Sequence, residues 1–511
     1  MPPIERDPAI LASFLSDAAH VPGGSSPGIV FPHDEAEVAA IVAASDRVLA
    51  IGAQSSLTGG ATPRGEVLVS TRALSAIGTP ADGCVHVGAG VPLAVLQQAL
   101  TASDLYYPPV PTYDGAFVGG TIATNAAGAA TFKYGSTRDW VEAIAVVLAS
   151  GDVLDLERGK IFADSERGFT IEASDGAAVR VRVPAVRMPE VAKLSAGYFA
   201  APGMDLIDLF IGSEGTLGVI TAARLRVVPR PRRLVALVSC AGDEQAIALT
   251  AALCSESIGR RHLAAAAQTR VGTGSRGTGA LDVSAVEYMD ARSLAAVPDE
   301  AFARAQTPRP GAGSVLLLIQ IEVPGGEDTT LETLASRLAR AGVADDPIVA
   351  LPHDDRGAER LFGLREAVPA SVNALVGAAK ARVHPEIQKT AADPVVPFDR
   401  LADSLRLYRE AFTRRDLDCA IWGHFSDGNL HPNLIPRSLA DVEAGRLAIL
   451  DIARGVIAMG GAPLAEHGVG RSRFKQQLLR ELYGEQGIEE MRVVKRALDP
   501  TGKLAPGVLF T

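Results

Sequence analysis

Three glycine-rich stretches in the first half of the chain constrain the fold most strongly. The apolar segment 47–51 is predicted to form a buried strand, and the first glycine-rich stretch, 52–60, follows it directly. The second stretch covers 118–128 and continues to 134–139, and the third covers 212–218. Short strands that alternate with helices and glycine-rich turns are typical of a mixed α/β domain. Each stretch alone is compatible with a structural turn, but together they predict a bound nucleotide, because small residues let backbone N–H groups approach phosphates.

Changes in pattern along the chain predict an α+β protein of three regions, since 511 residues are too many for one compact core. Residues 1–230 hold the glycine-rich stretches, with an insertion at about 157–200 where charges are scattered and prolines recur. The run 229–233, which contains two prolines and three arginines, marks a boundary. Residues 231–440 are predicted to form an antiparallel sheet covered by helices, and residues 441–511 a mostly helical segment.

Hydrophobic periodicity gives the individual elements. Helices are predicted at 34–45, 92–102, 245–254, 331–341 and 397–413. Strands are predicted at 67–70, 84–87, 234–239 and 315–323, with a strand-like pattern throughout 206–228.

Composition excludes several classes of protein. The net charge of −10 and the lack of a Lys/Arg run argue against a nucleic-acid partner. The longest apolar runs are too short to span a bilayer, and the first ten residues lack the pattern of a signal peptide. A cytoplasmic protein is therefore expected, with peripheral attachment to the inner face of the membrane left open. The cysteines form no CxxC pair and are expected to be reduced: Cys84, Cys240, Cys254 and Cys419.

One nucleotide-binding pattern is rejected. Residues 272–277 match GxGxxG letter for letter, but the preceding segment 263–270 is alanine-rich and helix-like. No helix is predicted after the pattern. Because the fingerprint requires a strand before it and a helix after it, these residues are predicted to form a loop.

The second half holds a cluster of candidate catalytic residues in two short segments. His424 and His431 lie in GHFSDGNLH, and Glu466 and His467 lie in EHGVG. Three of the nine histidines are therefore in this small part of the chain. Imidazole and carboxylate groups are ligands for divalent metals, and a catalytic metal keeps three protein ligands and an open position. The four residues could supply three ligands and a base. Alternatively, they are hydrogen-bonded polar residues near a sheet edge.

The motifs resemble those of a known family. GAQSSLTGG, VGGTIATNAAG…YGSTRDWV and GSEGTLGVIT are similar to the FAD site of the vanillyl-alcohol-oxidase-type (PCMH-type) FAD-linked oxidoreductases. LREAVP, GHFSDGNLHPN and EHGVG resemble the D-2-hydroxyacid dehydrogenase branch, which includes D-lactate dehydrogenase, the glycolate oxidase flavoprotein subunit and D-2-hydroxyglutarate dehydrogenase. The resemblance extends from about Pro27 to Phe510. It implies a two-subdomain PCMH-type FAD-binding domain, an α+β cap domain with an antiparallel sheet, and a helical C-terminal segment that contributes to the active site.

The resemblance assigns the glycine-rich stretches to FAD. The first would hold the pyrophosphate, and the others would line the flavin. No histidine lies between Gly52 and Gly60, so noncovalent FAD is expected. The assigned cofactor-binding residues are Gly52, Ala53, Gln54, Ser55, Ser56, Leu57, Thr58, Gly59, Gly60, Pro111, Thr112, Gly119, Gly120, Thr121, Thr124, Asn125, Gly128, Ser136, Thr137, Glu214, Gly215, Gly218, Ile220 and Asn429.

The resemblance also assigns the chemistry of the second half. His424, His431 and Glu466 correspond to the ligands of a divalent metal (Zn, Mn or Fe), and His467 to the base. Arg365 matches an arginine that binds the substrate carboxylate, since guanidinium makes paired hydrogen bonds to that group. The alternative is a surface arginine paired with Glu359 or Glu366. Lys389 matches a second cationic position on a looser alignment.

Some residues depart from the family pattern. Ile51, Gln54 and Ser55 replace the usual letters of the first stretch. Ser426 and Ala505 stand where glycine and asparagine are usual. None of these changes removes a proposed ligand or the base, so the predicted chemistry is retained.

The resemblance implies an FAD-dependent dehydrogenase that oxidises a small D-2-hydroxy acid to the 2-oxo acid, with hydride transfer to flavin N5. Two alternatives remain: a redox-neutral flavin enzyme of the alkylglycerone-phosphate synthase type, and a flavin subunit that only passes electrons. The expected partners are the 2-hydroxy acid and an electron acceptor, which is a quinone, a cytochrome, an electron-transfer flavoprotein or oxygen. A homodimer is left open.

Overall fold

The structure is a computed structural model that describes residues 2–172, 176, 178–255, 257 and 281–510. The run 272–277 lies outside these residues. The strands before residue 230 are β1 (Ile29–Val30), β2 (Val48–Ile51), β3 (Val67–Ser70), β4 (Cys84–Gly88), β5 (Leu105–Tyr106), β6 (Val141–Val147), β7 (Val153–Glu157), β8 (Gly168–Glu172), β9 (Ala178–Arg182), β10 (Val219–Arg226) and β11 (Val228–Pro229). The later strands are β12 (Arg233–Cys240), β13 (Asp282–Met289), β14 (Val315–Glu322), β15 (Ile348–Ala350), β16 (Cys419–His424) and β17 (Asn429–Leu434).

Helices begin where the sequence provides caps. Asp34 accepts a hydrogen bond from the Glu37 N–H at 2.8 Å, and Ser438 and Asp354 cap two later helices in the same way. Within the described ranges, no helix is both long and apolar enough to cross a lipid bilayer. The helices are α1 (Pro8–Ala12), α2 (Glu35–Ala44), α3 (Leu93–Thr101), α4 (Val118–Ala123), α5 (Thr131–Tyr134), α6 (Ile207–Phe210), α7 (Asp243–Ser255), α8 (Ala291–Ala296), α9 (Asp299–Arg304), α10 (Glu327–Arg340), α11 (Asp355–Arg382), α12 (Leu401–Thr413), α13 (Leu439–Ala458) and α14 (Arg473–Leu498).

The first half of the chain contains two main sheets. One is parallel, with strand order β1-β3-β2, and the other is antiparallel, with strand order β4-β10-β6-β7. Buried and partly exposed residues alternate along most of β10, which is the pattern of a strand that packs on one face. The C-terminal segment returns to the parallel sheet, because the Ala505 N–H donates to the Val48 carbonyl at 2.8 Å. These two sheets correspond to the predicted two subdomains.

The second half is built on a six-stranded antiparallel sheet with the order β15-β12-β14-β13-β16-β17. Helix α11 packs on one face, where Leu361 and Leu364 join Met289 and Trp422 in one buried group. Tyr288, the neighbour of Met289, points to the other face and belongs to a different buried group. The sheet, its helices and the helical C-terminal segment confirm the predicted α+β class.

Two segments differ from the local expectation. The strand-like pattern of 206–228 is helical at its start, in α6, and forms a strand only from Val219. The segment 157–200, predicted to be an insertion, contains the hairpin β8–β9 and then an irregular stretch that contacts both halves. Within it, the Ser195 hydroxyl donates to the Thr124 carbonyl at 2.8 Å, and the Ser195 N–H donates to the Leu464 carbonyl at 3.4 Å. This stretch is therefore part of the packed structure around the site.

Candidate active site

The first glycine-rich stretch forms part of the wall of a cleft. Residues 52–57 line the cleft immediately after β2. In the described part of the chain, the backbone N–H groups of 53–57 have no hydrogen-bond partner. Gln54 has a left-handed backbone (φ 52°), and its Nε2 donates to the carbonyls of Phe14 at 2.9 Å and Ala61 at 2.8 Å. The Gln54 side chain thus helps to hold the loop in shape, while the N–H groups of 53–57 remain available for a phosphate.

The second and third glycine-rich stretches line the same cleft. A Cβ added at Gly120 or Gly215 would meet no atom within 4 Å, so both positions adjoin open space. The carboxylate of Glu214 accepts hydrogen bonds from the N–H groups of Val469 and Gly470, at 2.8 Å each. The third stretch is therefore tied directly to the EHGVG segment.

Most residues assigned to FAD line this cleft: Gly52, Ala53, Gln54, Ser55, Ser56, Leu57, Gly60, Pro111, Thr112, Gly119, Gly120, Thr121, Thr124, Glu214, Gly215, Gly218 and Ile220. Glu466 and His467 line it as well, so the glycine-rich walls and the predicted base share one cleft. The cleft thus brings the predicted base and one predicted metal ligand to the cofactor side, whereas Arg365, His424 and His431 do not line it.

The remaining assigned residues lie behind the lining: Thr58, Gly59, Asn125, Gly128, Ser136, Thr137 and Asn429. Asn125, for example, accepts a hydrogen bond from the Arg138 N–H at 2.9 Å and donates to the Leu194 carbonyl at 3.3 Å. Asn429 lies beside the histidines, where its Nδ2 donates to the Pro394 carbonyl at 2.8 Å. Both asparagines thus bind neighbouring backbone groups through their side-chain amides.

The register of two strands brings the first histidines together. In the antiparallel pair β16–β17, His424 lies opposite Asn429 and Trp422 lies opposite His431. Opposed residues share a face of the sheet, and so do residues two apart on one strand. All four side chains therefore point to the face covered by α11. Gly428, with φ 78°, provides the left-handed turn between the strands.

Glu466 lies between the imidazoles of His424, His431 and His467. These four residues are called the imidazole cluster. Its Oε1 is 3.3 Å from His424 Nε2, 3.5 Å from His431 Nε2 and 3.7 Å from His467 Nε2. His424, His431 and Glu466 each offer a ligand atom, and these atoms lie within 4.8 Å of one another. His431 Nδ1 is buried without a hydrogen-bond partner. This set of two imidazoles and one carboxylate fits a divalent metal.

Asp393, which sequence reasoning missed, organises the cluster. Its Oδ2 accepts the backbone N–H groups of Glu466 and His467, both at 3.0 Å, and lies 3.3 Å from His467 Nδ1. Its Oδ1 lies 3.5 Å from His431 Nδ1 and accepts Asn429 Nδ2 at 3.1 Å. Burial alone would raise the pKa of Asp393, but the neighbouring histidines, His467 foremost, hold it well below its usual range. The carboxylate therefore stays charged beside both imidazoles.

His467 differs from the other two histidines in its access to the cleft. One third of its side chain is exposed (33%), whereas the side chains of His424 and His431 are 3% and 9% exposed. Desolvation of the ring disfavours its charged form and lowers the pKa of His467 to about 4. The nearby Asp393 carboxylate acts in the opposite direction and offsets only part of this effect. The imidazole is therefore neutral near pH 7 and faces the cleft, where it can accept a proton.

Lys193 contributes a buried positive charge beneath the cluster. Its Nζ lies 2.7 Å from Glu466 Oε2 and 3.2 Å from Asp427 Oδ2, and its side chain is fully buried. Burial opposes the charged form, but Asp427 and Glu466 outweigh it and raise the pKa of Lys193. This lysine therefore remains protonated and fixes one oxygen of Glu466.

Arg365 lies on α11 and is buried, with 8% of its surface exposed. Its Nε donates to Glu287 Oε2 at 2.7 Å, and Glu287 Oε1 lies 2.5 Å from His424 Nδ1. The alternative of a surface arginine paired with Glu359 or Glu366 is therefore wrong. Burial would raise the pKa of Glu287, but His424 and Arg365 lower it to about 2. Burial likewise opposes charge on His424, and Glu287 raises its pKa to about 9.

Lys389 stands apart from these contacts. It is exposed, and within the described residues no hydrogen bond or ion pair joins it to the imidazole cluster. It precedes the extended segment that carries Asp393. The predicted role of Lys389 in substrate binding therefore stays a prediction.

Sequence reasoning missed Glu287, Asp393 and Lys193. Glu287 had a usable signal, since it is the one charge in the mostly apolar run 283–289. The other two gave no comparable signal. Lys193 lies in the segment predicted to be an insertion, and its partner Glu466 is 273 residues away.

Comparisons with known proteins match two parts of the chain. A model described as an FAD binding domain matches residues 26–157, and one described as FAD linked oxidases, C-terminal domain, matches residues 264–509. The chain is 29% identical to the glycolate oxidase subunit GlcD of Bacillus subtilis, over 81% of this chain and 72% of that protein. It is 27% identical to a D-lactate dehydrogenase of Archaeoglobus fulgidus, over 94% and 90% of the two chains. It is also 27% identical to a D-2-hydroxyglutarate dehydrogenase of Xanthomonas citri, over 94% and 89%.

A solved structure shares the fold. An alkyldihydroxyacetonephosphate synthase superposes with a TM-score of 0.60 at 16% identity, covering 94% of this chain and 75% of the other. At this identity the likeness concerns the fold alone.

Proposed function

The chain belongs to the FAD-linked oxidoreductases, and we propose that it is an FAD-dependent dehydrogenase that oxidises D-2-hydroxy acids to 2-oxo acids. Two matched domains and relatives named for three such enzymes support this proposal. The lactate-, glycolate- and 2-hydroxyglutarate-like acids are the candidate substrates, and FAD is bound noncovalently.

The observation that carries the proposal is the shared cleft. His467 and the glycine-rich stretches line the same space, so a flavin held by the stretches and a substrate beside the imidazole would be neighbours. The unpaired N–H groups of 53–57 fit the pyrophosphate, and the open positions at Gly120 and Gly215 leave room for the cofactor. When bound, FAD supplies the acceptor for the hydride that leaves the substrate α-carbon.

Each polar residue then has a role. Arg365 binds the substrate carboxylate, because its terminal nitrogens have no partner within the described residues and its Nε is held by Glu287. His467 takes the hydroxyl proton at Nε2, while Asp393 holds the opposite side of the ring. The substrate hydroxyl would thus give its proton to His467, and bound FAD would supply the hydride acceptor that formation of the product carbonyl requires. Turnover also requires an electron acceptor, for which a quinone, a cytochrome, an electron-transfer flavoprotein and oxygen are the candidates.

The metal is part of the proposal. His424, His431 and Glu466 would hold Zn, Mn or Fe, and Lys193 would fix the second oxygen of Glu466. A divalent ion there would make a substrate hydroxyl more acidic, as it lowers the pKa of water from about 15.7 to about 7.

Flavin absorbance in the absence of oxygen tests the proposal. Purified protein is mixed with the D and L forms of lactate and 2-hydroxyglutarate, and with glycolate. At least one acid should bleach the flavin, and a chiral one should do so in its D form only. A yellow protein that none of these acids reduces would instead favour a redox-neutral enzyme or an electron-transfer subunit.

A further inference from the structure

Glu287 is a buried glutamate in the middle of a sheet, and its place is set by strand register. In the antiparallel pair β13–β16 it lies directly opposite His424. Met289, two residues further along β13, packs under α11, so Glu287 points to the same face. Arg365 approaches from α11 on that face. Three elements, β13, β16 and α11, therefore meet at one carboxylate.

The two oxygens of Glu287 serve different partners. Oε2 accepts the Arg365 Nε–H at 2.7 Å, and Oε1 lies 2.5 Å from His424 Nδ1. A carboxylate on Nδ1 keeps a proton on that nitrogen, so Nε2, which faces Glu466 at 3.3 Å, is the nitrogen that would bind a metal. A carboxylate on Nε fixes the plane of the guanidinium and leaves its two terminal nitrogens for another anion.

Ser426, one of the departures from the family pattern, holds the same strand. Its hydroxyl oxygen accepts the Val286 N–H at 3.0 Å, next to Glu287 and beside a register shift in the β13–β14 pairing between Val283 and Ala285. The turn between the two histidine strands is thus bonded to the strand that carries Glu287. This contact fixes the position of Glu287 along its strand relative to His424.

We propose that Glu287 is a positioning residue that sets Arg365 and His424 at a fixed separation, so that one substrate can bind the guanidinium through its carboxylate and the metal site through its hydroxyl. This inference rests on the proposed function. A 2-hydroxy acid has its hydroxyl on the carbon next to the carboxylate, so the spacing between the two anchors selects that substrate class.

The substitution Glu287→Gln removes this arrangement with little change in shape. An amide has one accepting oxygen and one donating nitrogen, so it cannot accept from both partners. If the amide nitrogen faces His424 Nδ1, the imidazole must carry its proton on Nε2, the nitrogen needed for a metal. If it faces Arg365, two donors oppose each other. Either orientation damages at least one anchor directly, and mixing of the two orientations damages both.

The experiment measures the two anchors separately, using the FAD-loaded protein and calorimetric titration. Manganese ions probe the metal site. Oxalate, added to metal-free protein, probes the carboxylate site. In Glu287→Gln we expect manganese and oxalate each to bind about 10- to 100-fold more weakly. In Arg365→Ala only oxalate binding should weaken. Asp290→Asn is the matched control, because Asp290 is a buried carboxylate that follows β13 and caps α8, and both affinities should stay as in the wild type.

The inference is overturned if Glu287→Gln binds both manganese and oxalate with the wild-type affinities. Glu287→Asp gives an independent check if the glutamine variant folds poorly: it keeps the charge but is one methylene too short to reach both partners, so at least one affinity should fall about tenfold. Unchanged affinities in this variant would also overturn the inference. If no 2-hydroxy acid reduces the wild-type flavin, the proposed function fails, whereas the two titrations still report on Glu287.

Discussion

The two walls of the cleft are built on different principles. The cofactor side consists of short glycine-rich stretches that offer backbone N–H groups, and few of its side chains make specific contacts. The other side consists of the imidazole cluster and of the buried charged side chains around it, which come from widely separated segments and hold one another through ion pairs. Backbone donors tolerate side-chain changes, whereas each member of a buried charge network leaves an unpaired charge when it is removed. Substitutions should therefore have small effects on the first wall and large effects on the second.

The largest effect is expected for His467→Asn. A general base contributes about 10²- to 10⁴-fold, so the rate of flavin reduction by the active 2-hydroxy acid should fall by that factor. FAD content should be unchanged, because the glycine-rich wall is intact. Stopped-flow absorbance under anaerobic conditions measures the rate. His20→Asn, at an exposed position, is the control and should retain the wild-type rate. A wild-type rate in His467→Asn would remove the base assignment.

Metal removal should affect the imidazole cluster and leave FAD binding unchanged. Dialysis against a chelator is expected to slow flavin reduction about 100-fold, since a divalent ion contributes several kcal/mol to charge stabilisation. The flavin spectrum should persist, and added manganese or zinc should restore the rate. Elemental analysis before and after dialysis identifies the ion. Full activity together with no detectable metal would contradict the ligand assignment.

Lys193→Met tests the cost of breaking the buried network. It leaves the carboxylates of Asp427 and Glu466 close together without their shared cation. The free energy of unfolding should fall by about 3 kcal/mol, measured by urea denaturation. Lys160→Met, at an exposed site, should change it by less than about 0.5 kcal/mol. Equal stabilities for the two variants would mean that Lys193 is not needed to hold the network.

The smallest effect is expected on the cofactor wall. Ser55→Ala keeps the backbone N–H groups of the first stretch, so the FAD dissociation constant should change by less than about threefold, consistent with the loss of one ordinary hydrogen bond at most. Gly120→Leu is the steric counterpart. Its added side chain has only the cleft to occupy, and FAD should bind at least about tenfold more weakly. Fluorescence titration of the apoprotein with FAD measures both. A larger effect for Ser55→Ala than for Gly120→Leu would contradict the backbone account of this wall.

The same contrast explains what could be predicted from the sequence. Strands such as β3 and glycine-rich stretches such as 52–60 are local features, so periodicity and turn residues located them within a few residues. The two histidine segments were also visible, because each is a compact motif. The helical start of 206–228 was missed because short apolar stretches do not distinguish a helix from a strand.

The network around the histidines was not predictable in this way. Glu287 and Arg365 are 78 residues apart, and Lys193 and Glu466 are 273 apart. Such pairs depend on strand register and on how distant segments pack together. Hydrophobic periodicity contains no information about either. Asp393 lies in an irregular segment with no motif of its own. Local patterns therefore predicted the ligands, and only the fold revealed the residues that orient them.

A crystal structure of the protein with FAD and oxalate tests the central claim most directly. The account predicts that the flavin ring lies in the cleft between Gly120 and His467, with oxalate in contact with both His467 and Arg365. A flavin ring separated from the imidazole cluster by packed protein would contradict it.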